Sequence, residues 1–111
     1  MHTLKNATEI DGIFKEGMRS AGNAVTLIAR RTPEARGHDG RVLFVAGKRL
    51  GGAVVRNRSK RVLREAMRRT GGPWAGWDVV LMARPATPSA SPAELDRALR
   101  SSLRRVGVTK E

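Results

Sequence analysis

Residues 51–69 have the sequence GGAVVRNRSKRVLREAMRR, and our interpretation of the chain starts from this stretch. Small and apolar side chains recur in it at helical spacing and form one stripe: Ser59, Val62, Leu63, Ala66 and Met67. At about 100° per residue, polar side chains fall on the opposite side: Arg56, Asn57, Lys60, Arg61, Arg64 and Arg68. The spacing predicts a helix with one face packed on a core and the other face exposed.

The same stretch has a high density of positive charge. Between residues 56 and 69, seven basic residues stand against one acid, Glu65, which gives a net +6, half of the chain's +12. One acid cannot balance this charge through intrahelical salt bridges. The planar fork of an arginine side chain can bond two phosphate oxygens at once. The pattern therefore predicts that the exposed face binds a polyanion.

Length and composition limit the class of protein. At 111 residues the chain can form one domain with a modest core, and 40% hydrophobic residues favour folding over disorder. The absence of cysteine excludes a disulfide framework and a thiolate zinc site. There is no signal-peptide pattern and no apolar run of membrane length. We expect a soluble, cytoplasmic protein whose pI near 11.7 favours a nucleic-acid partner, with an anionic membrane surface a distant second.

Helices are predicted at both ends of the chain. The first covers Ala7 to Glu16, with Asn6 and Glu9 as a capping box and Gly17 as a left-handed stop. Its apolar stripe consists of Ile10, Ile13 and Phe14. The last helix begins at the capping box Ser91-Pro92-Ala93-Glu94. Its inward side chains are Leu95, Leu99, Leu103 and Val106, and its outward ones are Arg97, Arg100, Arg104 and Arg105.

Four strands are predicted between these helices: Ala24 to Arg31, Arg41 to Ala46, Ala53 to Val55, and Trp77 to Arg84. A basic turn from Gly47 to Gly52 precedes the third strand. That strand leads into the basic helix, which begins near Arg58 and ends at Gly71-Gly72-Pro73. The apolar run from Val79 to Met82 predicts burial on both faces of the sheet. The resulting order is αβββαβα, an α+β sandwich of helices on one small sheet, in a single domain over residues 1–111.

Residues that could perform catalysis alone are not apparent. The ten acids are scattered over helix ends and turns. His2 and His38 have no partner at the spacing of a metal site or of a catalytic triad. We therefore expect no catalytic and no metal-binding residue in this chain.

The central stretch also resembles a known family. Ala53-Val54-Val55-Arg56-Asn57-Arg58, followed by Lys60-Arg61 and Leu63-Arg64-Glu65, is similar to the central motif of the bacterial ribonuclease P protein subunit. Gly47-Lys48-Arg49-Leu50-Gly51 and Met82-Ala83-Arg84-Pro85 fall where that family has a lysine-rich turn and an Ala-Arg-Pro strand end. The resemblance extends from about Leu4 to Val106.

This resemblance implies a fold and a function. The fold is a two-layer αβββαβα sandwich whose four-stranded sheet has a left-handed βαβ crossover, as in the second domain of ribosomal protein S5. General handedness rules predict a right-handed crossover instead, so the hand stays open. In the family, the protein assists an RNA subunit that carries the active site and its Mg²⁺ ions and removes the 5′ leader of precursor tRNA. The implied partners are ribonuclease P RNA and precursor tRNA. No membrane, no obligate protein partner and no cofactor held by the protein alone are expected.

Two groups of residues are the candidate RNA contacts. The face of the basic helix is expected to meet the catalytic RNA, mainly through phosphates: Arg56, Asn57, Arg58, Lys60, Arg61, Arg64 and Arg68. By resemblance, a cleft between the first helix and the sheet holds the single-stranded 5′ leader: Ile10, Phe14, Val25, Lys48, Arg49 and Arg84. Ile10 stands where the family usually has an aromatic residue.

Several alternatives stay open at this point. Asn57 could cap a helix that begins near Arg58 as well as contact RNA. Phe14 could be an ordinary core residue as well as a platform for a base. For the whole chain, the alternatives are a general RNA-binding or ribosomal protein without a cleavage partner and, in third place, a stand-alone nuclease.

Overall fold

The described residues form three helices and five strands. The computed structural model describes residues 2–3, 7–32 and 39–109, with side chains from Asp11 onward. The helices are α1 (Ala7–Glu16), α2 (Ala53–Arg69) and α3 (Pro92–Val106). The strands are β1 (His2–Thr3), β2 (Met18–Ala21), β3 (Val25–Arg31), β4 (Arg41–Val45) and β5 (Trp77–Ala83). Short 3₁₀ turns cover Lys48–Leu50 and Thr87–Ser89.

A mixed sheet of four strands, extended at one edge by the two-residue β1, forms the middle of the molecule. The order is β1-β4-β5-β3-β2. Strand β3 runs antiparallel to β2 and to β5, whereas β4 and β5 are parallel neighbours with Val42 opposite Val79. Because α2 connects these two parallel strands, β4-α2-β5 is a crossover unit, in which β4, and not the predicted strand Ala53 to Val55, precedes the basic helix. The handedness of this crossover stays a prediction.

Helices cover both faces of the sheet. On one face, strand residues such as Leu27 and Leu81 pack against Leu63 of α2 and Leu99 of α3. On the other face, Ile13 of α1 packs on strand residues Ile28, Val80, Leu43, Val45 and Met82. Side chains alternate along each strand, so the run from Val79 to Met82 contributes to both clusters, as predicted. The predicted two-layer arrangement is wrong, because α1 forms a third layer on the sheet face opposite to α2 and α3.

The predicted strand Ala53 to Val55 is wrong, because these residues form the first turn of α2. Gly52 takes the N-cap position after Gly51, whose φ of 133° lies in a region that favours glycine. Val55 then lies four residues before Ser59 and eight before Leu63 on the same side of the helix. The hydroxyl of Ser59 donates to the Val55 carbonyl at 2.8 Å. The apolar stripe therefore begins one turn earlier than predicted.

Strand β2 was not predicted. The predicted order αβββαβα is nevertheless retained when β1 is not counted, because the chain gains β2 and loses the predicted strand Ala53 to Val55. Met18–Ala21 has little strand character, and Ser20 is its one buried residue. The Ser20 hydroxyl bonds Ser102 of α3 at 3.1 Å and also accepts from Arg105 at 3.1 Å. Contacts to α3 thus hold a strand that has no apolar face.

The helix ends agree with the sequence at several points. Helix α1 covers the predicted residues, and the hydroxyl of Ser91 caps α3 by accepting from the Glu94 amide at 3.1 Å. Gly17 is not left-handed, which corrects the predicted stop. It is required by close packing, since a Cβ there would overlap the Ile13 carbonyl oxygen and lie 2.6 Å from Ile28 Cγ2. The predicted cap Asn6 lies outside the described residues, as do His38 and the side chain of Glu9.

Within the described residues, no helix is both long enough and apolar enough to span a membrane.

Candidate nucleic-acid interface

The outer surface of α2 is divided into three rows of polar side chains. The buried stripe contains Ser59, Leu63, Ala66 and Met67, as predicted, and fixes the helix orientation. The row opposite this stripe, which we name the α2 crest, consists of Asn57, Arg61 and Arg68. One flank faces the turn at Thr87–Ser89 and α3, and the other faces β4.

Arginines of the α3-side flank have structural partners. Arg58 Nε donates to the Pro88 carbonyl at 3.0 Å. Arg69 Nε donates to both carboxylate oxygens of Asp96, at 2.8 and 3.0 Å. This hydrogen bond from Arg69 to Asp96 raises the pKa of the Arg69 guanidinium above its ordinary value. The two contacts link α2 to the turn at Thr87–Ser89 and to α3, so the side chains of this flank stabilise the fold.

The β4-side flank is half-buried and contains Arg56, Lys60 and Arg64. The guanidinium of Arg64 lies over the ring of Phe44 on β4, with 5.2 Å between its central carbon and the ring centroid. The Nε of Arg56 is buried and has no hydrogen-bond partner among the described residues. These side chains thus present only part of their charge to solvent.

The α2 crest is the most accessible row. Its three side chains are exposed, and none of them bonds another residue in the part of the chain that the structure describes. Beside them lies Val54, which is 83% exposed although it is apolar. Val54, Asn57, Arg58 and Arg61 line a shallow concavity of about 400 Å³. Because α2 begins at Ala53, Asn57 lies in the second turn, and its interpretation as a helix cap is wrong.

A second candidate surface lies where the parallel strands β4 and β5 end, on the α1 face of the sheet. Val45 and Met82, which are paired neighbours, form its floor. Arg49 and Arg84 flank a concavity of about 350 Å³, with Gly47, Leu50, Ala83 and Pro85 completing the lining. The carboxyl ends of parallel strands are a common place for ligands in such sheets. We name this concavity the strand-end cleft.

The structure brings together only some of the six predicted leader-cleft residues. Arg49 and Arg84 lie together in the strand-end cleft, and the exposed Lys48 belongs to the turn beside it. Phe14 is 42% exposed, so its interpretation as an ordinary core residue is wrong, although it does not line the cleft itself. The side chain of Ile10 lies outside the described part.

Val25 does not belong to the predicted cleft. It has no exposed surface and packs in the cluster under α2 and α3, on the sheet face away from α1. The next residue, Thr26, lies on the α1 face opposite Met82. Thr26 and Arg19 line a smaller concavity of about 220 Å³ that shares residues 82–84 with the strand-end cleft. Sequence reasoning missed both residues, and β3 gave no signal for Thr26 because residues 25–29 are buried on both faces of the sheet.

Arginines engage several acidic residues in the described part. Asp78 is fully buried and accepts from Arg41 at 2.7 and 3.0 Å, from Thr32 at 3.0 Å and from Arg30 at 3.4 Å. Glu16 is 3.5 Å from Arg30. Within residues 2–3, 7–32 and 39–109, no three His, Cys, Asp or Glu side chains are grouped so that they could hold a metal ion.

Comparison with known proteins identifies the family. The family model described as Ribonuclease P matches residues 1–107. The chain belongs to the ribonuclease P protein family. The match covers the motif at residues 53–65 and both flanking segments, so the resemblance inferred from the sequence is confirmed.

Relatives of this ribonuclease P family member agree with that assignment. The ribonuclease P protein component of Dehalococcoides mccartyi is 43% identical over 68 residues, which are 61% of this chain and 56% of that protein. The chain thus aligns with just over half the length of this relative. The ribonuclease P protein component of Brevibacillus brevis is 30% identical over 115 residues, covering 99% of this chain and 86% of that protein. The RNase P protein from Thermotoga maritima has the same fold, with a TM-score of 0.77, 25% identity, and coverage of 96% and 98%.

Proposed function

We propose that this chain is the protein subunit of a bacterial ribonuclease P ribonucleoprotein in the cytoplasm. It would assist an RNA subunit in removing the 5′ leader of precursor tRNA. The observation that carries this proposal is the position of the α2 crest. Its exposed residues have no internal partner in the described part, and two of them, Asn57 and Arg61, fall within the motif by which the sequence resembles the family.

In this proposal the α2 crest binds the catalytic RNA. Arg61 and Arg68 bond phosphate oxygens through their guanidinium forks, and Asn57 supplies one donor and one acceptor. The α3-side flank keeps the helix in place, since Arg58 and Arg69 bond other parts of the protein. Phosphate contacts of this kind give affinity and orientation, not sequence preference.

The strand-end cleft, together with Phe14, receives the unpaired 5′ leader. Single-stranded RNA binds well to surfaces that combine positive charge with apolar or aromatic platforms for bases. Here Arg49 and Arg84 provide the charge, Val45 and Met82 an apolar floor, and Phe14 a half-exposed ring on the helix above the same sheet face. The cleft binds and orients the leader, and it contains no group that would cleave it.

Cleavage is assigned to the RNA subunit, together with the Mg²⁺ ions that the family uses. The carboxylates in the described part of the chain do not fit a magnesium site, because Asp78 and Asp96 are bound by arginines and the other described acids are dispersed.

Reconstitution tests the proposed function. The purified protein should leave precursor tRNA intact, but it should promote cleavage by a bacterial ribonuclease P RNA at a Mg²⁺ concentration too low for the RNA alone. Cleavage by protein from which all RNA has been removed would indicate a nuclease. Tight RNA binding without any stimulation of cleavage would indicate a general RNA-binding protein.

Salt dependence tests the role of the α2 crest. Binding to the catalytic RNA should weaken as salt increases, by roughly 0.9 log units per log unit of salt for each duplex phosphate contact and about 0.7 for single strands. The variant Arg61→Gln/Arg68→Gln should reduce this slope by about 1.4–1.8. A matched control removes two charges elsewhere, Lys15→Gln on α1 and Arg31→Gln, whose side chain stacks on Trp77. Equal slopes for the two folded variants would refute the role of the crest.

A further inference from the structure

The arginines of the described residues divide into two groups. One group has an internal hydrogen bond, ion pair or ring contact: Arg19, Arg30, Arg31, Arg41, Arg58, Arg64, Arg69 and Arg105. The other group has no such contact within residues 2–3, 7–32 and 39–109, and most of its members belong to α2 or to the strand-end cleft. The three that remain, Arg97, Arg100 and Arg104, all lie on α3.

These three arginines form one row on the outer side of α3. Their spacing of three and four residues places them along a single side of the helix, over about 10 Å at 1.5 Å per residue. The buried side of α3 carries leucines and Val106, so the row points away from the core. The row lines an open concavity of about 560 Å³, together with Ala93 and Asp96. We name Arg97, Arg100 and Arg104 the α3 row.

The charge of the α3 row is not balanced inside the described part of the molecule. Asp96 is the one acid among the residues that line the concavity, and Arg69 bonds both of its carboxylate oxygens. Arginines three and four residues apart repel each other and disfavour the helix. The helix dipole favours Arg104 in the last turn, but Arg97 and Arg100 lie further from the C-terminus. The structure alone gives no reason for three arginines here.

We propose that the α3 row is a second RNA-binding surface, which holds the phosphates of an RNA segment other than the one on the α2 crest. This inference rests on the proposed function, because that function brings a large structured RNA to the protein. Guanidinium groups in a row suit consecutive phosphates. None of the described residues lining the concavity is aromatic, so the surface is suited to the backbone and not to unpaired bases.

Two RNA surfaces on two helices would make the protein a bridge. The Arg69–Asp96 ion pair joins α2 and α3 on the sides where the two helices face each other. RNA on the α2 crest and RNA on the α3 row are therefore held at a fixed distance by a rigid pair of helices. A bridge of this kind favours RNA conformations in which both segments are at the correct separation.

The test compares four double variants in the complete chain. Arg97→Gln/Arg100→Gln removes two charges from the α3 row, and its neutral side chains preserve helix propensity. Arg61→Gln/Arg68→Gln alters the α2 crest, and Lys15→Gln/Arg31→Gln is the control of equal charge. Arg97→Lys/Arg100→Lys keeps the charge and should recover much of the affinity. Circular dichroism checks folding, and binding is measured from 50 to 200 mM salt.

Two binding arms distinguish the source of the phosphates. One arm measures binding of the protein to ribonuclease P RNA alone, and the other measures binding of precursor tRNA to the reconstituted complex. The α3-row variant should lower the salt slope in one arm by about 1.4–1.8, and its affinity at 150 mM salt should fall about tenfold relative to the control. An effect in the first arm identifies the catalytic RNA as the ligand, and an effect restricted to the second identifies precursor tRNA.

The outcomes separate this inference from the proposed function. If the α2-crest variant weakens binding while the α3-row variant behaves like the control in both arms, the second surface is refuted and the proposed function stands. If neither variant differs from the control, the proposed RNA interface fails as well. A third arm uses vesicles containing anionic lipid. Loss of vesicle binding in the α3-row variant, with unchanged RNA binding, would assign the row to a membrane surface and overturn the proposal.

Discussion

Substitution of Phe14 separates a leader-binding role from a packing role. Phe14 is 42% exposed, whereas its neighbour Ile13 has no exposed surface and packs on Ile28 and Val80. Removal of a fully buried phenyl ring costs about 3–5 kcal/mol. Scaled by the buried share of Phe14, Phe14→Ala should lower the free energy of unfolding by about 2–3 kcal/mol. A domain of about 5–15 kcal/mol remains folded after such a loss.

The effect on RNA should be selective for the leader. A base stacked on an aromatic ring contributes about 1–3 kcal/mol, which corresponds to about 5- to 150-fold in affinity. The reconstituted ribonucleoprotein with Phe14→Ala should therefore bind precursor tRNA more weakly by this factor. Its affinity for mature tRNA, which has no leader, should be unchanged. Equilibrium binding of both tRNAs and urea unfolding of the isolated protein give the two quantities.

A control variant on the same helix distinguishes loss of stacking from loss of stability. Ile13→Val should cost about 0.5–1.5 kcal/mol of stability because Ile13 is buried. Since that change does not alter the exposed surface, the ratio of precursor to mature affinity should stay at the wild-type value. The reasoning is refuted if Phe14→Ala weakens both tRNAs equally, or if the ratio does not change in a folded variant.

Two further predictions concern stability and are measured by urea unfolding. Asp78→Asn should lower the free energy of unfolding by about 3–5 kcal/mol, because it leaves the guanidinium groups of Arg41 and Arg30 without their buried carboxylate. A decrease below about 1 kcal/mol would contradict this reasoning and show that water replaces the carboxylate easily. Gly17→Ala should cost about 1–3 kcal/mol, because the added methyl group meets the Ile13 carbonyl oxygen; a stabilised variant would show that the contact relaxes.

Local periodicity explains which parts of the fold were predictable. The apolar stripes of α2 and α3 repeat over several turns, and the strands at residues 25–31, 41–45 and 77–83 are rich in branched side chains. The start of α2 was missed because Ala53-Val54-Val55 favours a strand when considered alone. The helical period extends back to Val55, and this becomes clear only when Val55 is considered together with Ser59 and Leu63, which follow it at intervals of four residues.

The leader cleft was predicted less well for a reason that lies in the sheet. Because helices cover both faces of β3, its buried residues include the neighbours Val25 and Thr26, which point to opposite faces. The sequence alone therefore does not show which of the two faces α1. Val25 was assigned to the cleft by resemblance to the family, and a shift of one residue, which exchanges the faces, gives Thr26 instead.

Pairing across the fold determines which arginines are available for RNA, and it cannot be deduced from the sequence. The carboxylate of Asp78 binds Arg30 and Arg41, which lie on two other strands, and the carboxylate of Asp96 binds Arg69 on another helix. In the sequence these arginines look the same as Arg61 or Arg100. The crest of α2 was predictable because helical periodicity alone places it opposite the buried stripe. The α3 row became a candidate only after folding had assigned partners to the other arginines, so the two surfaces rest on different kinds of argument and must be tested separately.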